Sequence, residues 1–192
     1  NLYHMNYKDQ LVPTGEVKLD KPITRNFDKS YRMGVELSAA WMPVDWFRWD
    51  ANATFSKNRV KDVTVKLTDG TVRTIAGESQ LAFSPNTVFN NVFTFDKAGF
   101  RGMVMSHFVG EQNLTNTGFK TMQTKDAGGN MVNDLISLKQ YFTTDIDLSY
   151  TFSLKALALK DATVGITLYN VFSSKYDNNG WATPQYRLDG AT

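Results

Sequence analysis

Between positions 138 and 154 the chain alternates apolar and polar side chains almost without a break. Leu138, Phe142, Ile146, Leu148, Tyr150, Phe152 and Leu154 take even positions, with Gln140 and Thr144 the less apolar members of that set. Lys139, Thr143, Asp145, Asp147, Ser149, Thr151 and Ser153 fill nearly all the odd ones. A period of two puts one set on each face of an extended strand. The run covers about 17 residues, whereas strands of soluble domains average about 5–6. A half-buried antiparallel strand shows the same alternation. The length favours a barrel strand in a membrane, where about 9–11 tilted residues cross the hydrocarbon and the rest project beyond it.

The same period recurs along the chain. Tyr31, Met33, Val35, Leu37, Ala39 and Trp41 alternate with Arg32, Glu36 and Ser38; after a short turn at 43–45, Phe47, Trp49, Ala51, Ala53 and Phe55 alternate with Arg48, Asp50, Asn52, Thr54 and Ser56. These two runs predict a long hairpin. Segments 2–12, 86–96, 100–113 and about 164–168 predict further strands. In 2–12, His4, Asn6 and Lys8 oppose Tyr3, Met5 and Tyr7, and in 100–113 Met103, Met105 and Val109 compete with Phe100, Val104 and Phe108 for the apolar face. Segments 16–29 and 114–137 read as loops, and Asp69-Gly70 marks a small hairpin within the long segment 57–85.

The connections thus alternate in length: 43–45, 97–99 and 155–161 are short, and those near 13–29, 57–85, 114–137 and 173–192 are long. Short turns at one end and long loops at the other mark bacterial outer-membrane barrels, with the turns periplasmic and the loops extracellular. About seven strands are predicted over residues 1–192. Single-chain bacterial barrels have even strand counts, so at least one closing strand is expected elsewhere.

Composition changes this picture little. A hydrophobic fraction of 42% and a mean hydropathy of -0.35 fit a soluble protein, but an alternating membrane strand averages to the same value. No segment reaches the roughly 20 apolar residues of a spanning helix. Asn1 opens directly into a strand-like run with no leader, so an exported barrel is expected to start further upstream. Net charge of +2 with mixed signs and no basic cluster gives no case for nucleic acid. The absence of cysteine removes disulfide frameworks, thiolate metal sites and cysteine nucleophiles together.

Candidate chemistry is sparse. The two histidines, His4 and His107, fall on different predicted strands and supply no metal-binding spacing. Asp145 and Asp147 lie at i and i+2, which points both into a wet lumen more simply than it builds an acid/base pair. Ser and Thr are abundant without a GxSxG elbow or a nearby His, so nucleophilic catalysis has no support; neither an enzyme nor a cofactor is expected. Trp41, Trp46, Phe47 and Trp49 gather around the first short turn, as an aromatic belt at the membrane interface would, and also as ordinary sheet packing would. In the last segment Asn178, Asn179, Trp181 and Tyr186 combine stacking surface with amides, which suits sugar or peptide recognition and equally a packed surface loop.

The stretches YKDQLVPTG, KSYRMGVELSAAW, FVGEQNLTNT and ATVGITLYNVFSSKYDNNGW closely resemble the C-terminal barrel of TonB-dependent outer-membrane receptors of the SusC/RagA-like branch. The resemblance spans nearly the whole chain, and its most specific combination is YKDQLV, SYRMGVEL and LYNVFSSKYDNNGW. It implies an all-β fold, the last third of a barrel of about 22 strands with a plugged lumen, lacking its closing strand. The plug, the TonB box and the rest of the barrel then lie outside residues 1–192. It further implies an importer of oligosaccharides or oligopeptides in the outer membrane of a Gram-negative bacterium. Its partners would be a SusD-like surface lipoprotein, the TonB complex through the missing N-terminal part, and outer-membrane lipid. The contrasting expectation is a soluble β-sandwich used for binding or adhesion, in which the apolar face is buried against a second sheet.

Overall fold

The computed structural model describes residues 1–18, 21–66, 71–125, 128–154 and 159–180. Within them the chain forms β1 (Leu2–Lys18), β2 (Lys21–Val44), β3 (Phe47–Lys66), β4 (Val72–Gln80), β5 (Thr87–Lys97), β6 (Phe100–Val109), β7 (Gln112–Asn113), β8 (Thr121–Lys125), β9 (Met131–Leu135), β10 (Ser137–Leu138), β11 (Tyr141–Leu154) and β12 (Leu159–Leu168). One sheet follows the order β1-β2-β3-β5-β6-β11-β12, with β4 paired to β3 beside this path. Every pairing in it is antiparallel, so the sheet is an up-and-down meander whose two end strands have an open edge. The lower half of β3 pairs with β5 through Phe47↔Phe95 to Phe55↔Thr87, and its upper half pairs with β4.

Cross-strand partners share a face, and the register therefore assigns the described side chains that it pairs to one face or the other. Ile146 faces Val104 and Leu168, Phe93 faces Val104 and Trp49, and Trp49 faces Trp41. One continuous apolar face results. Tyr31, Leu37, Phe55, Phe142, Ile146 and Phe152 all lie on it. Among the described residues no second sheet covers this face: Leu37 is 56% exposed, Phe55 51%, Val164 62% and Ile166 56%. The opposite face carries Glu36, Asp50, Asn52, Asn90, His107, Thr143, Asp145 and Asp147. The β5–β6 competition is resolved by this register. Phe100, Val104 and Phe108 go outward with Phe89, Phe93 and Phe95, leaving Met103, Met105 and Val109 inside. In β1 the register runs against polarity: Leu2, His4 and Asn6 pair outward against Val35, Met33 and Tyr31, and Tyr3, Met5 and Tyr7 turn inward. Tyr3 can do so because Gly34 opposes it; a Cβ there would lie 2.7 Å from the Tyr3 hydroxyl.

Several boundaries differ from the sequence reading. Segment 16–29 is not a loop, since β1 and β2 continue through Val12↔Arg25 and Val17↔Pro22. The long alternating run is not one strand from Leu138. Leu138 belongs to β10, which pairs with β7 as a separate two-stranded sheet, and the barrel strand starts at Tyr141. Segment 114–137 contains the β8–β9 hairpin. Asp69 and Gly70 lie outside the described residues. The β5–β6 turn is set by local chemistry: Ala98 and Gly99 have φ of 53° and 82°, the doubly positive pair of a two-residue type I′ turn that matches strand twist.

The compact core is small and lies at the loop end, where the extended hairpins meet. Val12, Phe27, Val60, Val63 and Leu81 form it, and Ile75 packs against them. A sheet with so little core is held by its ladder and by whatever solvent covers its apolar face. Leu148 sits in the middle of β11 on that face, and Asp147 points the other way. Leu148→Arg is expected to cost about 2–4 kcal/mol in the complete barrel refolded into lipid, and Asp147→Arg far less. Denaturant titration of both variants checks this; equal penalties would mean that both faces are dry.

Candidate functional site at the loop end and inner wall

At the turn end of the outer face, all four aromatics singled out in the sequence come together. Phe47 lies 5.1 Å, centroid to centroid, from Phe95 and 6.2 Å from Phe93, and its ring meets Trp41 and Trp46 at 6.3 Å. Trp49 stacks on Phe93, and the Lys97 ammonium stands 5.5 Å over the Trp46 ring. Phe93 and Phe95 were missed by sequence reasoning because only the β3–β5 register puts them beside the tryptophans.

The opposite end is polar and more elaborate. The segment after β6 folds back under the β4–β5 connection, burying Leu114, Thr115, Asn116 and Thr117 with Leu81 and Ala82. Asn116 Oδ1 accepts the Ala82 N–H at 2.7 Å, the Phe83 N–H donates to the Asn113 carbonyl at 2.9 Å, and Ser79 Oγ donates to the Thr117 carbonyl at 3.2 Å. An apparent loop is thereby fixed as a plate. Asn and Thr at 113–117 are the residue types that satisfy backbone groups locally, and that was the available signal.

The chain leaving β12 is pinned to the inner face. Asp145 Oδ1 accepts the Asn170 N–H at 2.7 Å, the Val171 N–H donates to the Thr144 carbonyl, and Asn170 Oδ1 accepts the Ser174 N–H. This brings the Tyr176 ring onto Tyr141 at 4.2 Å with nearly parallel planes. Beyond it a recess of about 720 Å³ is lined by Leu114, Ser137, Lys139, Tyr176, Asp177 and Asn179, among others. Of the four predicted ligand residues, Asn179 lines this recess, with its Oδ1 accepting the Gly180 N–H at 2.8 Å, and Asn178 is exposed beside it. Trp181 and Tyr186 lie outside the described residues. Tyr176, which sequence reasoning passed over, adds an aromatic surface to the lining.

Electrostatics at the loop end centre on Glu78 of β4. It accepts the Tyr31 hydroxyl at 2.8 Å and pairs with Lys57 at 3.3 Å and Lys61 at 3.6 Å. The hydroxyl hydrogen bond, followed by Lys57, holds its carboxyl below the ordinary glutamate range. Among the described residues no group of three or more His, Cys, Asp or Glu side chains is placed to hold a metal ion. His4 lies on the outer face beside Tyr31, and His107 on the inner wall.

The sequence matches the TonB dependent receptor-like, beta-barrel family over residues 1–171. The chain belongs to this family. The family's barrels are transporters of the Gram-negative outer membrane, and the unpartnered outer face of this receptor barrel is a lipid-facing surface. The fold is similar to that of the ferric yersiniabactin uptake receptor of Yersinia pestis, with a TM-score of 0.63 and 16% identity over 95% of this chain and 23% of that one. It is also similar to the ferric-catecholate import receptor of E. coli K12, with a TM-score of 0.57 and 16% identity over 91% and 20% of the two chains. The FrpB iron transporter of Neisseria meningitidis matches with a TM-score of 0.52 and 15% identity over 94% and 25%. This chain therefore spans about a fifth to a quarter of the length of those receptors. No curated protein matches the sequence.

Two outcomes follow from the loop-end geometry. Asn116→Ala leaves the buried Ala82 N–H without its acceptor and should cost about 1–3 kcal/mol, measured by refolding of the complete receptor in lipid; Asn178→Ala, at an exposed site, should fall within about 0.5 kcal/mol of wild type. A depressed carboxyl stabilises above its ordinary pKa, and that contribution fades as pH falls through the lowered value. Tyr31→Phe should accordingly move the Glu78 midpoint upward in an NMR titration, and an unmoved midpoint would assign the shift to Lys57 instead.

Proposed function

We propose that this receptor is an energised nutrient importer of the SusC/RagA-like kind, and that residues 1–192 form part of its barrel wall. In this reading the short turns face the periplasm and the aromatic cluster of Trp41, Trp46, Phe47 and Trp49 anchors the barrel at the headgroup level, where amphipathic rings are favoured. The long loops face outward and meet a SusD-like surface lipoprotein that presents the cargo. The plug, in the part of the receptor beyond this chain, couples release to TonB.

The observation that carries the cargo assignment is the loop-end recess. Tyr176 gives it a stacking face, Asn179 an amide, Asp177, Lys139 and Lys175 charged rims, and Leu114 an apolar floor. A few polar groups converging on an apolar surface is the usual form of a small-molecule site, and this mixture suits an oligosaccharide or oligopeptide. Tyr176 and Asn179 both fall within LYNVFSSKYDNNGW, one of the three motifs whose combination resembles the SusC/RagA-like branch. The solved neighbours named above handle iron or ferric chelates, but at 15–16% identity they support the fold and not the cargo.

Growth of the parent strain and a receptor deletion on neutral oligosaccharides, on oligopeptides, and on ferric siderophores under iron limitation tests this assignment, together with affinity purification of the tagged receptor. The expected result is loss of growth on one glycan or peptide class and recovery of a surface lipoprotein. A defect confined to ferric siderophores would overturn the cargo assignment.

A further inference from the structure

The register builds a feature on the inner wall that neither the recess nor the membrane face uses. Ser38 pairs with Asn52, Asn52 with Asn90, Asn90 with His107, and His107 with Thr143. Five strands thus contribute one side chain each to a single row running across the sheet, and every member is a hydroxyl, an amide or an imidazole. Three of them are tied together. Asn90 Nδ2 donates to Asn52 Oδ1 at 2.8 Å, and Asn90 Oδ1 meets His107 Nδ1. Because the Asn90 amide nitrogen is committed to Asn52, its oxygen is the atom that meets His107 Nδ1, which leaves His107 Nε2 and the Asn52 Nδ2 hydrogens available to a ligand. The chain of contacts therefore fixes the orientation of these three side chains.

Next to this row, toward the loops, stands the tyrosine stack. Tyr141 lies 6.1 Å from His107, centroid to centroid, and carries Tyr176, which remains 44% exposed. The flanking rows read Glu36, Thr54, Val88, Val109, Tyr141 on one side and Ala40, Asp50, Val92, Met105, Asp145 on the other. Both contain carboxylates and neither contains a cation. Asp50 is paired to Arg48 at 2.6 Å, and Asp145 is held by the Asn170 N–H.

We propose that Tyr176, Tyr141 and the His107–Asn90–Asn52 chain form a subsite for a neutral polyhydroxylated ring, passed down the wall from the loop-end recess. A sugar ring has an apolar C–H face that fits an aromatic plane and hydroxyls that each donate and accept. The stack and the row offer those two complements side by side. Within these rows a multiply anionic ferric chelate meets like charge from Glu36 and Asp145, while Arg48 on the same face is committed to Asp50 and Lys139 and Lys175 stand at the recess rim. This inference rests on the importer reading and narrows its cargo to neutral glycans.

The test uses the complete receptor carrying Tyr176→Ala or Asn90→Ala, with radiolabelled neutral glucan, mannan, fructan and xylan oligosaccharides as probes, a ferric tris-catecholate as the anionic comparison, and vancomycin sensitivity as a measure of plug seating. Wild type should bind and import one neutral glycan class. Each variant should lose about tenfold in affinity for it with unchanged vancomycin resistance and thermal stability. Undiminished glycan affinity in both variants would overturn the subsite while leaving the importer reading intact. Uptake restricted to peptides or to the ferric complex would overturn it through its substrate class, and in the ferric case the importer's assigned cargo as well. Increased vancomycin sensitivity in the variants with unaltered glycan binding would assign the row to contact with the plug and equally overturn the proposal.

Discussion

The structure depends on the cross-strand hydrogen-bond ladder. In hydrocarbon there is no water to satisfy a free N–H or carbonyl, and each unsatisfied group costs several kcal/mol, so a spanning chain must pair its backbone completely. From β1 to β12 every interior strand of the path is paired on both sides in antiparallel register. The ladder replaces a conventional core, because the only compact cluster of buried apolar residues among those described sits at the loop end around Val60 and Leu81. Breaking the register by one residue would exchange every lipid-facing side chain for a lumenal one.

That constraint separates the two jobs of the wall. On the outer face the side chains need only be apolar, with amphipathic rings near the turns, and the sequence supplies Phe, Leu, Val, Ile and Trp with little regard to shape. On the inner face, position matters. Asp145 does not merely fill a wet site: it captures the Asn170 N–H and so decides where the chain goes after β12. Through that anchor Tyr176 reaches Tyr141, and the segment 170–180 becomes part of the inner wall's chemistry instead of a tail.

The loop end shows how a receptor can carry binding groups on segments of irregular backbone. The buried Asn116 side chain and the Asn113 carbonyl answer backbone N–H groups of the β4–β5 connection, the Thr117 carbonyl accepts the Ser79 hydroxyl, Thr115 braces Thr117 from within the segment, and Leu114 and Leu138 give those segments an apolar anchor. Positioned loops of this kind can hold a recess without a helix or a second domain to brace it. The charged tie of Glu78 to Tyr31, Lys57 and Lys61 is solvent-exposed and contributes more to the arrangement of the rim than to stability.

The sequence by itself determined the strands that cross the membrane and the faces of the clearest of them. Alternation is a local property: Ile146 and Asp147 cannot face the same way on any extended strand, and lipid on one side with water on the other writes that difference into neighbouring residues. The aromatic cluster at the first turn was legible for the same reason, since Trp41, Trp46, Phe47 and Trp49 are close in sequence as well as in space. Motif resemblance added the family, which alternation alone could not separate from a sandwich. Only the tertiary structure decided the rest. Where alternation was ambiguous, as for Met103 against Val104 or Tyr3 against His4, the face was fixed by the partner strand's register. Strand length beyond the membrane, as in β1 and β2 through 16–29, depends on a hairpin partner and not on local hydrophobicity. The row from Ser38 to Thr143 is drawn from five strands separated by long loops, and the meeting of Tyr176 with Tyr141 needs an anchor at Asp145. No one-dimensional pattern encodes such meetings, because the residues concerned are neighbours only across the sheet.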